Sequence, residues 1–239
     1  MAFDRKTVIE HARGADAAMV DEGLRAFMLK VYNYMCLGLG VTGAVAMFTA
    51  SSEGMMQAIY GTPLAWLVML SPLAFILVLS FGLNKLSVGA TRALFWAFAV
   101  VMGLSMASIF MVYTSTSIAR VFFITAAAFA GLSLYGYTTK RNLSGMGSFM
   151  VMGLIGIIIA MLVNLFLQSS ALHFAISVIG VLVFAGLTAW DTQKLKMVYA
   201  AQSGDAAVAE KSAIMGALRL YLDFVNMFYF LLHLFGGRE

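Results

Sequence analysis

Two aspartates stand inside stretches of sequence that are otherwise built to sit in hydrocarbon. Asp191 closes one apolar run in Leu187-Thr-Ala-Trp-Asp-Thr-Gln-Lys-Leu-Lys196, and Asp223 lies in the middle of another in Leu220-Tyr-Leu-Asp-Phe-Val-Asn226. A carboxylate at helix mid-depth in a bilayer costs about 2.5–3.5 kcal/mol on insertion scales, so something must offset it. Such residues face the interior of a bundle, pair with another group, and mark an ion or proton path. Three partners suit Asp223. Arg219, four residues earlier, shares its helix face and makes an intrahelical charge pair. A proton on Asp223 itself is the second. The third is Asp191 across a helix interface: two carboxyls at one site titrate together and respond to pH. Deprotonated, they are hard oxygen ligands suited to Ca²⁺.

No other constellation offers comparable chemistry. His11, His173 and His233 are far apart in sequence, two of them near span ends, and read as interfacial residues, not metal ligands. Cys36 is the sole cysteine and reads as a small apolar helix residue. Eighteen Met and nineteen Phe are spread through the apolar runs as packing and lipid contact. Gly38, Gly40 and Gly43, and Gly153 with Gly156, are spaced to let helices approach closely. There is no P-loop, no Gly-x-Gly-x-x-Gly, no His-Glu-x-x-His and no Cys-x-x-Cys, so an enzyme is not expected. An intramembrane aspartyl protease would need a Gly-x-Gly-Asp signature, whereas Leu220-Tyr221-Leu222 precedes Asp223.

The elements that position these residues follow from composition. Of 239 residues, 62% are hydrophobic and 11% charged, against about 45–50% and about 25% in soluble domains. One core could not bury that much apolar surface, so the solvent must be lipid. The net charge of +4, with no continuous basic stripe, argues against nucleic acid as a partner. A helix needs about 20 apolar residues to cross a bilayer. Charge-free runs at 31–52, 54–84, 93–119 and 121–139 meet that length, and 142–190 exceeds it. As a single helix the last would extend about 74 Å. It must fold back, and Gln168-Ser169-Ser170 is the polar cluster near its middle. Seven helices are expected, at 28–50, 62–82, 93–113, 119–138, 147–167, 172–190 and 213–235, giving an all-α polytopic membrane protein. Uniformly apolar, helix-length runs exclude the short alternating segments of a membrane barrel.

Twelve Lys and Arg fall on the N-terminal segment and the second, fourth and sixth connections, against Arg120 and Arg238 on the other side. The positive-inside rule then predicts a cytoplasmic N-terminus and an outside C-terminus. Residues 1–27 read as a charged cytoplasmic arm and 28–239 as the transmembrane domain. The first helix reads as an uncleaved anchor, since no short apolar signal with a small-residue cleavage site precedes it.

Several segments together resemble the Bax inhibitor-1 family, the transmembrane Bax-inhibitor-motif proteins. They are Leu132-Ser-Leu-Tyr-Gly-Tyr-Thr-Thr-Lys-Arg-Asn-Leu-Ser-Gly145, Gly186-Leu-Thr-Ala-Trp-Asp-Thr-Gln-Lys-Leu-Lys196 and Gly216-Ala-Leu-Arg-Leu-Tyr-Leu-Asp-Phe-Val-Asn226, with Gly103-Leu-Ser-Met-Ala-Ser-Ile-Phe110 also fitting. The likeness runs from about residue 20 to the C-terminus and is strongest to the bacterial inner-membrane branch. It implies seven helices with the last one central, ringed by six, and a pH-dependent Ca²⁺ leak. It also implies a di-aspartyl pH sensor at the positions of Asp191 and Asp223. Bacterial calcium-leak members carry a Glu and an Arg in or just after the second helix. Here the second span has no acidic residue and Lys85 is the first base after it. Arg219 is therefore the candidate charge partner that holds the pair closed.

The expected function is a pH-sensitive calcium, or cation, leak of the bacterial inner membrane, gated by Asp191 and Asp223. The ion is cargo, and no cofactor is expected. The alternative is a membrane interaction protein of stress response, modulating a membrane protease or another membrane partner through its charged arm.

Overall fold

The structure, a computed structural model, describes the backbone of residues 5–83, 85–201 and 205–237, with side chains from Glu22 onward. The arm assigned to residues 1–27 is thus described in part. His11, Arg5, Lys6, Arg13 and Arg238 lie outside the described side chains. The helices are α1 (Arg5–Ala50), α2 (Glu53–Tyr60), α3 (Leu64–Gly82), α4 (Val88–Met106), α5 (Ser115–Thr138), α6 (Ser144–Leu167), α7 (Ser170–Ala200) and α8 (Ala206–Phe235). A 3-10 turn, Ala107–Met111, extends α4. No strand occurs among these residues. Seven helices are long and apolar enough to cross a membrane: α1 from Glu22, α3, α4 with its 3-10 turn, and α5 to α8. The chain is an all-α polytopic membrane protein.

Local chemistry sets the helix ends. Ser87, Thr114 and Ser169 are N-caps whose hydroxyls accept from Ala90, Ser117 and Leu172 N–H groups. The α6–α7 hairpin falls at the expected polar cluster. Gln168 takes a left-handed conformation (φ 49°) and donates its N–H to Asn164 O at 2.8 Å. The Asn164 side-chain oxygen accepts from Ser169 N at 3.0 Å. A left-handed residue that closes the last turn of one helix, followed at once by an N-cap for the next, reverses the chain in two residues.

Two expected boundaries are corrected. The sixth span does not stop at 190 but runs to Ala200, and the seventh starts at Ala206, not 213. Charge does not end these helices, because the lysines beyond Asp191 find partners at the rim of the bundle. Lys196 Nζ donates to Tyr137 O at 2.6 Å, and Lys194 sits over the Trp190 ring at 4.7 Å. Asp205 caps α8 by accepting from Ala207 N–H at 2.8 Å, and Lys211 Nζ reaches Leu83 O at 3.1 Å. Such stems lie along apolar surface while their heads stay polar.

The last helix is the central one: 72% of its apolar stretch is buried, against 39% or less in each of the other six. The ring around it is smaller than six. Its principal neighbours are α7, α1, α5 and α4, whereas α3 packs on α4 and α6 on α7. α3 and α6 accordingly bury least, 11% and 6%, and give most of their surface to lipid. The glycine reading also divides. Gly38 lies against Phe95 and Tyr221, and Gly153 against Val183, but Cβ atoms on Gly40, Gly43 and Gly156 would meet nothing within 4 Å. Close approach is enforced elsewhere. A Cβ on Gly136 of α5 would sit 2.2 Å from the Ala189 carbonyl oxygen of α7.

Gly136→Ala should therefore force α5 and α7 apart and lower stability by about 1–3 kcal/mol. Gly131→Ala on the same helix, where a Cβ meets nothing within 4 Å, should gain up to about 1 kcal/mol from helix propensity. Thermal unfolding of the two variants in detergent distinguishes them. Equal melting shifts would show that the α5–α7 approach is not glycine-limited.

Candidate functional site

α7 and α8 run antiparallel, so residues descending one helix meet residues ascending the other. With α7 continuing to Ala200, Asp191 lies about 13 Å from that helix end at 1.5 Å per residue. Asp223 faces inward and is 5% exposed. The two carboxyls face each other across the α7–α8 interface, near enough for each to bear on the other's charge. Asp223 Oδ2 is buried and accepts no hydrogen bond among the described residues.

Arg219 does not close this site by contact. Among the described residues the ion pairs within 4.0 Å are Lys30–Glu210 and Arg92–Glu210, and Arg219 is exposed on the outer side of α8. Its charge still acts on both aspartates through space. The described residues hold no cluster of three or more His, Cys, Asp or Glu that could hold a metal. A Ca²⁺ ion takes six to eight oxygens, and the pair offers it two carboxyls.

Hydroxyl networks brace both sides of the pair. Thr192, next to Asp191, donates to Thr188 O at 2.8 Å and contacts Ser133 Oγ at 3.0 Å. Ser133 in turn contacts Tyr32 Oη at 2.6 Å, so the chain links α7 through α5 to α1. Two residues before Asp223, the fully buried Tyr221 bonds Thr42 Oγ1 at 2.7 Å, and Thr42 donates to Ala99 O at 2.8 Å. That second chain joins α8 to α1 and α4. Every hydroxyl in these two chains is bonded inside the protein, as a lipid surround requires, whereas the buried Thr49 Oγ1 on α1 has no partner among the described residues.

Two groupings were not legible in the sequence. Glu210, near the start of α8, is held by Lys30 Nζ at 2.7 Å, Arg92 at 2.8 Å and Tyr34 Oη at 2.7 Å. Its side chain is 13% exposed while Lys30 and Arg92 are about half exposed. One carboxylate thus ties α1, α4 and α8 at the end of the bundle that carries the lysines. The partners lie 118 to 180 residues away along the chain, so no spacing rule finds them. At the opposite end, the His173 and His233 rings approach to 4.8 Å, with Tyr229 4.3 Å from His233. Their separation in sequence is erased because α7 begins where α8 ends.

The comparisons agree with this architecture. Residues 24–239 match the family described as inhibitor of apoptosis-promoting Bax1. An uncharacterized protein of Rickettsia prowazekii is 49% identical over 219 residues, 92% of each chain. The inner membrane protein YbhL of Escherichia coli K12 is 48% identical over 220 residues, covering 91% of this chain and 94% of that one. An uncharacterized Caulobacter vibrioides protein is 46% identical over 229 residues, 92% of each. The chain belongs to the Bax inhibitor-1 family.

Glu210→Ala should remove three bonds from one end of the bundle and lower its stability by about 1–2 kcal/mol. High salt should shrink the difference from wild type, because Lys30 and Arg92 are half exposed. Melting curves at low and high salt check both points. No loss on substitution would mean that packing alone aligns α1, α4 and α8.

Proposed function

We propose that this member of the Bax inhibitor-1 family is a pH-sensitive cation leak, with Ca²⁺ as cargo, in the inner membrane. The observation that carries the reading is the meeting of Asp191 and Asp223 inside the span, with Asp223 Oδ2 left without a partner. A shared proton holds two carboxyls together. Loss or gain of that proton changes the charge between α7 and α8, and with it the spacing that the two helices favour. The pair is thereby both the sensor and the oxygen lining that a hard divalent cation meets in passing. Arg219 adds a positive charge beside that route. It opposes cation entry and keeps the resting leak low.

The inner-membrane location follows the Escherichia coli relative. The positive-inside rule supports the orientation in which the lysine-rich end of the bundle faces the cytoplasm. That end holds the N-terminal part of α1 with Lys30, and the connections that Lys196, Lys211 and Gln193 tie down.

Ca²⁺ flux into proteoliposomes between about pH 5 and 8 tests the reading. Wild-type flux should change with pH, and Asp191→Asn and Asp223→Asn should both abolish that dependence while the protein remains folded. Arg219→Ala should raise the resting leak, and unchanged flux in that variant removes Arg219 from the mechanism. No flux above protein-free liposomes at any pH would overturn the channel reading in favour of a membrane interaction role, with a protease or another membrane protein as partner.

A further inference from the structure

α1 and α5 flank α8 on two sides without packing closely on one another, and a trench of about 1230 Å³ runs between them. Its α1 wall extends from Arg25 to Met47, its α5 wall from Ser115 to Tyr137, and its floor is Phe224, Val225 and Phe228 of α8. From Arg25 to Met47 the wall is about 33 Å long at 1.5 Å per residue, close to the thickness of a hydrocarbon core. The lining is almost wholly apolar. Polar atoms within it concentrate at the lysine-rich end, where Tyr32 and Ser133 bond across from α1 to α5 at 2.6 Å. Gly40 and Gly43 open onto it, with nothing within 4 Å of an added Cβ.

We propose that this trench is a binding site for one acyl chain of an anionic phospholipid, whose headgroup phosphate is received by Arg25. Three observations select that occupant. The walls lie parallel to the spans, so the ligand must be long and aligned with the membrane normal. The lining offers water too few partners, since an ordered water needs two to four polar groups. Arg25 lines the lysine-rich mouth, is exposed, and pairs with no carboxylate among the described residues. A guanidinium is matched to phosphate oxygens by its planar fork of donors. The chain then acts as a removable side chain, filling the gap between α1 and α5 and resting on Phe224, the neighbour of Asp223. The site does not depend on the leak reading, because its occupancy is measured without flux.

Cys36, the sole cysteine, is exposed on the trench wall. A bimane attached there reports what fills the trench without any introduced cysteine. In phosphatidylcholine vesicles holding a small fraction of phosphatidylglycerol brominated at mid-chain, quenching should exceed by severalfold that expected from the mole fraction of brominated lipid. Arg25→Gln should bring it back to that proportion. Aqueous iodide should quench little. In detergent, the purified wild type should retain about one phospholipid per chain. Gly40→Phe and Ala130→Phe, which fill the trench from opposite walls, should lose it while melting like the wild type. Quenching proportional to mole fraction in the wild type would overturn the proposal, and so would strong iodide quenching, which marks a hydrated trench. Equal phospholipid content in the wild type and a folded filled variant would do the same.

Discussion

A carboxyl held in the most buried helix of a bundle surrounded by lipid constrains everything near it. Asp223 is 5% exposed, and the hydrocarbon outside offers no polar group to match it. Its match must come from a neighbouring helix, and α7 supplies it with a second carboxyl. That choice differs from a salt bridge in kind. An ion pair between Arg219 and Asp223 would be neutral and settled, whereas two carboxyls are stable together only in some protonation states. The structure keeps Arg219 out of contact, exposed on α8, so Asp223 faces a second carboxyl and not an ion-pair partner.

Such a pair needs helices that hold their registry around it. Small residues and hydroxyls do this at mid-depth. Gly136 brings α5 against the α7 backbone, and the Thr192–Ser133–Tyr32 chain carries the alignment on to α1. Tyr221 and Thr42 do the same on the α4 side. At the lysine-rich end the fastening is ionic, with Glu210 binding three partners from two other helices. At the other end the chain terminus is pinned by backbone: Thr114 N donates to Gly237 O at 3.1 Å, and Gly237 N to Ser117 Oγ at 2.7 Å. Fixed ends and braced flanks hold α7 and α8 in register around Asp191 and Asp223.

The α1–α5 trench leaves a long boundary of α8 open. α4 and α7 cover the central helix with packed side chains, but between α1 and α5 the floor of the trench is the phenylalanine face that follows Asp223. Whatever occupies that space touches the same helix as Asp223.

The sequence by itself determined the solvent of this protein, because 62% hydrophobic content cannot be hidden in one core. Run lengths and Gln168-Ser169-Ser170 set seven spans and the hairpin between the fifth and sixth of them. Asp191 and Asp223 stood out because an acidic residue in an apolar run has no cheap explanation. Tertiary structure decided the rest. The sixth span continued past its lysines because Tyr137 O, distant in the chain, and the Trp190 ring, one turn back on the same helix, received them. Gly38 and Gly40 look alike as letters, yet one meets Phe95 and the other open space. Glu210 gave no signal, since its partners lie 118 to 180 residues away and are assembled only when α1 and α4 close on α8. Composition and periodicity are properties of a segment, and a segment can be read alone. Partnership belongs to pairs of helices, and it exists only once they are packed.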